Sequence, residues 1–140
     1  MWIIYAFLSA VFAALVTIFG KIGLKDIDST LATTIRSIIM AVFLILVSLS
    51  LVAAKKMDFN LASFSSKAWL FIILSGIAGA LSWLFYFSAI KIGMVGPVAA
   101  IDRTSIIFIV ILSALFLGEA FTWRIGLGAF LIALGAFLIR

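Results

Sequence analysis

The sequence predicts an all-α integral membrane protein, a bundle of five transmembrane helices, and three observations carry that expectation. Hydrophobic residues make up 67% of the 140 residues and charged ones only 11%, with a mean hydropathy of +1.45, whereas a soluble domain carries about 25% charged residues. The apolar residues fall in long runs. Short polar connections separate those runs, and with about 1.5 Å of rise per residue and a hydrocarbon layer about 30 Å thick, a span takes roughly 20 residues. The chain accommodates five such runs as a single membrane domain, residues 1–140, with little length left for anything else.

The first span, residues 2–20, is uncharged and ends at Lys21. It is too long for the core of a signal peptide, no basic residue precedes it and no small-residue cleavage site follows, so it is expected to be retained. Lys25-Asp26-Ile27-Asp28-Ser29-Thr30 forms a polar turn in which Ser29 or Asp28 is placed to cap the next helix. The second span, residues 30–54, holds one charge, Arg36, before an apolar run to Lys55-Lys56. The connection Lys55 to Lys67 mixes Met57, Phe59, Leu61 and Phe64 with polar residues, a pattern suited to the bilayer interface.

The third span, residues 68–90, contains no charge until Lys91. Gly93-Met94-Val95-Gly96-Pro97 is a tight connection, with Pro97 suited to the first turn of a helix, where its missing N–H costs nothing. The fourth span, residues 97–117, carries Asp102 and Arg103 near its start. Its charge-free part, residues 104–118, is short enough to leave a buried or re-entrant arrangement open. Gly118-Glu119-Ala120-Phe121-Thr122 turns the chain into a fifth span, residues 123–139. An odd number of spans places the termini on opposite sides.

Composition narrows the function. Without Cys or His, thiol nucleophiles, disulfides, Cys/His zinc sites and histidine acid–base chemistry are excluded, and five acidic residues leave few ways to build a hydrolytic centre. The reading is therefore a non-enzyme without cofactor or metal. The net charge of +5 comes from basic residues scattered between apolar runs. There they anchor helices at lipid headgroups, so the partner they indicate is membrane lipid and not nucleic acid.

Orientation in the bilayer follows the excess of Lys and Arg in short loops. The N-terminal side carries Lys55, Lys56, Lys67 and Arg124, and the opposite side carries Lys21, Lys25, Lys91 and Arg140, with Arg36 and Arg103 deeper in that half. Such a balance gives no strong instruction and predicts dual topology, although Lys55-Lys56 alone are able to hold one orientation.

Polar groups fall on faces. In the third span Ser75, Gly79, Ser82 and Tyr86 stack along one side of a helix with Trp83 beside them. Small residues on such a stripe serve close packing in lipid, while Trp83 and Tyr86 fit either an aromatic belt near Lys91 or the wall of a cavity. In the second span Thr30, Thr33, Ser37, Ala41 and Ser48 share a broad face with Arg36 on its border. An arginine inside a bilayer costs on the order of 2.5–3.5 kcal/mol on insertion scales and usually faces a partner or water, but Arg36 is near enough to the helix start to snorkel. Asp102 is the only acid of similar depth on that side and is a partner for Arg36 or Arg103. Ser9, Ala13, Thr17 and Gly20 make a small stripe on the first span. In the fifth span Gly128 and Gly135 lie a heptad apart and Ala129, Ala133 and Ala136 continue a flat surface, the candidate seam for a dimer.

Several runs carry a family resemblance. Ala89-Ile-Lys-Ile-Gly-Met-Val-Gly-Pro97-Val-Ala, Leu115-Phe-Leu-Gly118-Glu119-Ala-Phe-Thr122 and Gly126-Leu-Gly-Ala-Phe-Leu-Ile-Ala-Leu-Gly135 resemble the end of an EamA domain of the drug/metabolite transporter superfamily, and Lys21-Ile-Gly-Leu-Lys25 followed by Arg36 resembles its beginning. The resemblance implies a helical secondary transporter. Family members usually hold two five-helix repeats inserted in opposite senses around a central cavity, whereas this chain has one, so alternating access about a midplane site implies pairing head to tail. The last helix also resembles that of the small multidrug resistance proteins, antiparallel dimers coupled to protons through a Glu in the first span. Residues 2–20 contain no acid, so that coupling does not carry over.

The expectation is thus a secondary transporter or exporter of small metabolites or drugs, an antiparallel homodimer in a prokaryotic inner membrane. Its pathway candidates are Thr17, Thr33, Arg36, Ser37, Trp83, Tyr86 and Asp102, and two Arg36 residues near a shared cavity favour anionic or zwitterionic solutes. The alternative is a subunit of a hetero-oligomeric flippase for lipid-linked groups, or an accessory membrane protein without transport of its own.

Overall fold

A computed structural model describes residues 1–58 and 60–139, all but the Ala62 side chain. Phe59 of the long connection and Arg140 of the charge balance lie outside the described residues. The described chain is all-helical: α1 (Trp2–Gly23), α2 (Ser29–Ala53), a short 3-10 turn (Leu61–Ser63), α3 (Ser66–Ile92), α4 (Val95–Asp102), α5 (Ser105–Leu112), a π-helical turn (Ser113–Leu117) and α6 (Trp123–Ile139). Among the described residues, four stretches are long and apolar enough to cross a membrane: α1, α2, α3, and Val95–Leu117 taken together. The 17-residue α6 is apolar but, at about 26 Å, shorter than the average hydrocarbon layer.

α1 and α3 run past the apolar stretches read from the sequence, taking Lys21, Lys67 and Lys91 into their terminal turns. The reason is physical. Hydropathy marks where the hydrocarbon lies, whereas the backbone stays hydrogen-bonded as a helix until water and headgroups can satisfy it. The 27 residues of α3 measure about 40 Å, enough to reach through both headgroup layers.

The chain divides into two compact units, residues 23–88 and residues 1–22 with 89–140. In the first, Asp28 is the residue that caps α2, its carboxylate accepting from the N–H groups of Thr30 at 2.9 Å and Leu31 at 3.1 Å, and Ser29 becomes the first helical residue. At the other end Lys55 takes a left-handed conformation (φ 54°), with Lys56 N–H donating to Leu51 O and Lys55 N–H to Val52 O. These two bonds close a Schellman motif around the last carbonyls of α2. Along the connection to α3, the rings of Phe64 and Trp69 lie 5.7 Å apart.

In the second unit α6 packs against α4 and α5. Lys21, in the last turn of α1, donates its Nζ to the carbonyls of Ile90, Gly93 (3.0 Å) and Lys91 (3.3 Å), so one ammonium covers the carboxyl-terminal end of α3 and the turn that follows. A cation there also complements the negative pole of the helix. The turn is tight at Gly93, where a Cβ would stand 3.0 Å from both Ala89 O and Val98 Cγ2, so that a neighbour would have to give by a few tenths of an ångström.

The fourth span departs from the single helix 97–117 expected of it. It begins at Val95, so Pro97 sits in the first turn, and it is interrupted at Arg103-Thr104. There the N–H groups of Thr104, Ile106 and Ile107 bond three residues back, to Ile101, Arg103 and Thr104, and the Thr104 hydroxyl caps Ile101 O at 2.7 Å. The π turn after α5 ends at Gly118, whose φ of 66° admits glycine without strain. The next helix starts against an aromatic ring: a Cβ on Gly126 would lie 2.8 Å from Cζ of Phe121.

Candidate functional site

Within the unit of residues 23–88, the first half of α2 lies along the second half of α3. Ser29 Oγ and Ser88 Oγ are 3.1 Å apart, and two turns further on Arg36 meets Trp83 and Phe87. Pairs whose numbers fall as the others rise are the register of antiparallel neighbours. The Arg36 guanidinium carbon sits 3.9 Å from the centroid of the Trp83 ring and 5.2 Å from that of Phe87. The rings themselves form a cluster: Trp83 and Tyr86 meet edge to face at 5.7 Å, Trp83 and Phe87 at 5.8 Å, and Tyr86 and Phe87 at 6.4 Å.

The local sequence explains the placement. Arg36 is the eighth residue of α2, about 10 Å from its start, and a side chain on a helix leans toward the amino-terminal end. Trp83 and Phe87 are four apart on α3 and so present their faces from one side. Phe87 is buried, while Trp83, Tyr86 and Arg36 are half-buried.

Electrostatically the site is one-sided. Neither α2 nor α3 contains an Asp or Glu. The aromatic faces attract the guanidinium through their quadrupoles without occupying its N–H groups. Arg36 makes no hydrogen bond or ion pair among the described residues, and its Nη1 is shielded from solvent without a partner. The neighbouring hydroxyls spend their protons on their own helices: Thr33 donates to Ser29 O at 2.7 Å, Ser37 to Thr33 O at 2.8 Å and Ser88 to Leu84 O at 2.8 Å. Bonding back in this way satisfies a hydroxyl in lipid. It also leaves oxygen lone pairs, and not protons, on offer.

Of the pathway candidates, the α2–α3 pair brings together Arg36 and Trp83, with Tyr86 on the ring cluster, Thr33 buried one turn before Arg36, and Ser37 exposed next to it. Thr17 and Asp102 belong to the other unit. Thr17 is buried, its hydroxyl donating to Ala13 O at 2.9 Å, and Asp102 is exposed at the end of α4, joined by no ion pair to Arg103 among the described residues. Sequence reasoning missed Phe87, Ser29 and Ser88. The signal was present in the four-residue step from Trp83 to Phe87, where a phenylalanine does not stand out beside Leu84 and Phe85 in a largely apolar run.

The stripe on α6 is divided. Ala129 and Ala136 are buried and Ala133 is half-buried, on the side that packs within the protein. Ala133, Ala136 and Phe137 of α6 face Ile101 and Thr104 across a shallow groove of about 350 Å³, at the interruption between α4 and α5. Gly128 and Gly135 are about 100° further round the helix. Gly128 is exposed, Gly135 half-buried, and the space above both is open.

The model of the EamA-like transporter family matches residues 1–140. An "Uncharacterized transporter in cobO 3'region" from Sinorhizobium sp. is 40% identical over 138 residues, covering 99% of this chain and 95% of that protein. No solved structure matches. With the family pattern extending over the whole chain and four helices suited to crossing the bilayer, the protein is a multi-pass membrane protein that belongs to the EamA-like transporter family of the drug/metabolite transporter superfamily.

Proposed function

We propose that the protein is a secondary transporter of small metabolites or drugs, working by alternating access as an antiparallel homodimer in a prokaryotic inner membrane. The observation that carries this reading is Arg36, a cation inside a membrane helix held against Trp83 and Phe87 with no acid on either of the two helices. Placing an arginine there costs on the order of 2.5–3.5 kcal/mol on insertion scales, and a half-exposed cation–π contact returns about 1 kcal/mol. A methionine or leucine would stabilise the same helices at lower cost. The balance is explained when Arg36 serves the solute pathway, together with Trp83, Tyr86, Thr33 and Ser37 on the same pair.

Homodimerisation is supported by three features. The Sinorhizobium relative is matched over 95% of its own length by residues that carry the family pattern here. The loop charges are balanced across the predicted spans. An inverted pair of repeats is what supplies alternating access around a midplane site, and α6, read as a fifth span, offers the Gly128 and Gly135 surface for close approach.

The test is solute exchange in proteoliposomes loaded with a metabolite mixture, comparing the native protein with Arg36→Ala. The expected result is efflux from native vesicles that the variant lacks. Efflux that is demonstrable and unchanged by Arg36→Ala removes Arg36 from the pathway, and reporters on the carboxyl terminus that are active on one side only remove the antiparallel homodimer.

A further inference from the structure

Resting on the transport reading above, we infer that the α2–α3 pair is a carboxylate site: Arg36 binds the carboxylate of a small amphipathic acid whose apolar body lies along the half-buried Trp83 and Tyr86 rings.

Around Arg36, Thr33, Ser37 and Ser88 have committed their hydroxyl protons to backbone carbonyls. Ser29 Oγ is 3.1 Å from Ser88 Oγ, and because Ser88 donates to Leu84 O, Ser29 donates to Ser88. The donors without a partner among the described residues are the N–H groups of the Arg36 guanidinium and the Trp83 indole. A site whose free hydrogens sit on a cation selects a ligand rich in acceptors and negative in charge.

Among the described residues Arg36 has no counter-ion. Asp28 is eight residues earlier on the chain, about 12 Å along the axis, and its carboxylate is engaged at the α2 amino terminus. No other acid occurs on either helix. The ring of Trp83 holds the guanidinium in place while leaving its fork of donors unoccupied, which is the arrangement that suits a planar, two-oxygen acceptor. Because Nη1 is already shielded from water, part of the desolvation that an incoming anion demands is met before it arrives. A cationic solute finds the opposite, repulsion from Arg36.

Shared chemistry gives a second source for the anion, the phosphate of a lipid headgroup, so the experiment separates the two. The full-length protein, with Trp2, Trp69 and Trp123 replaced by Phe so that Trp83 alone fluoresces, is placed in nanodiscs of phosphatidylcholine and titrated with hydrocinnamate, hydrocinnamamide and phenylpropylamine. The inference expects saturable quenching by the acid, binding at least about tenfold weaker for the amide, and none for the amine. Arg36→Lys, which keeps the charge and loses the fork, weakens the acid about tenfold at unchanged helicity and elution volume. Equal binding of acid and amide, or binding of the amine, overturns the carboxylate assignment. Full retention of affinity in Arg36→Lys overturns the bidentate geometry. If phosphatidylglycerol in the nanodisc saturates the signal and abolishes the response to the acid, the site belongs to a headgroup and the inference falls. The transport reading is scored separately in the proteoliposomes: acid binding without exchange sinks transport and leaves the site, whereas exchange of solutes that do not quench Trp83 does the reverse.

Discussion

The contact between Arg36 and Trp83 is measurable on its own, independently of any solute. Its perturbation is a double-mutant cycle of Arg36→Met, Trp83→Leu and the pair together, chosen because Met keeps the apolar stem of Arg36 and Leu keeps helix propensity. The guanidinium carbon is 3.9 Å from the Trp83 centroid, well inside the roughly 6 Å over which a ring attracts a cation. Both side chains are half-buried, which places the coupling between about 0.5 kcal/mol for an exposed pair and about 2 kcal/mol for a desolvated one. Phe87 at 5.2 Å survives in every corner of the cycle and holds part of the charge, so the expected coupling is about 1 kcal/mol, a factor of about five in the unfolding equilibrium. The assay is reversible unfolding by SDS in mixed micelles, followed by helicity. A coupling below about 0.3 kcal/mol means that Arg36 leaves the ring and reaches for the headgroups, as a snorkelling arginine does. That result would refute the electrostatic account of the site.

The other expectations concern the frame around it. Lys21→Met removes the ammonium from the carbonyls of Ile90, Lys91 and Gly93 and is expected to cost about 2 kcal/mol, seen as a lower melting point by size-exclusion chromatography after heating; an unchanged melting point means the tether is not formed. Gly118→Val forces a β-branched residue to φ 66° and is expected to destabilise by about 1–2 kcal/mol in the same assay, with Gly118→Asn milder. Ala136→Leu overfills the side of α6 that packs within the protein and destabilises it by about 1–3 kcal/mol, seen as a lower melting point, whereas Gly128→Leu leaves the melting point alone and weakens pairing read by crosslinking. If both substitutions act on pairing alone, the division of the α6 stripe is wrong.

Much of the fold was legible because hydropathy is a nearly complete description of a chain in lipid. The runs at residues 2–20, 30–54 and 68–90 became α1, α2 and α3, with α1 and α3 continuing past the apolar runs and α2 shifted by one residue. Arg36, Trp83 and Tyr86 were legible for a related reason: a charge, or a polar ring, inside an apolar run stands out against its background. Phe87 did not, since in such a run one more phenylalanine carries no contrast. Its part in the site follows from the register of α3 on α2, which periodicity within either helix does not contain. The α6 stripe illustrates the same limit, because small residues mark a close approach without saying to what. Ala129 and Ala136 are buried within the protein, and the partner they approach is on this same chain.

The fourth span is where local chemistry outweighed the apolar pattern. Asp102, Arg103 and Thr104 interrupt an otherwise apolar stretch, and the Thr104 hydroxyl takes the Ile101 carbonyl as its own acceptor at 2.7 Å. With that carbonyl also receiving the Thr104 N–H, the chain tightens to bonds three residues back through Ile107 and then resumes as α5. Tightening of this kind inside a span is tolerated in lipid only where the freed groups find partners, and here the turn supplies them itself. A groove lined by Ile101 and Thr104 opens at that point against α6. Replacing Thr104 by Val keeps the volume and removes the hydroxyl, so the interruption loses one of its two supports. The expected consequence is a straighter fourth span, read as slower amide exchange at residues 104–107, with the melting point raised or unchanged. Faster exchange at the same amides would mean that the hydroxyl closes the turn instead of opening the helix, and the argument from Thr104 would have its sign reversed.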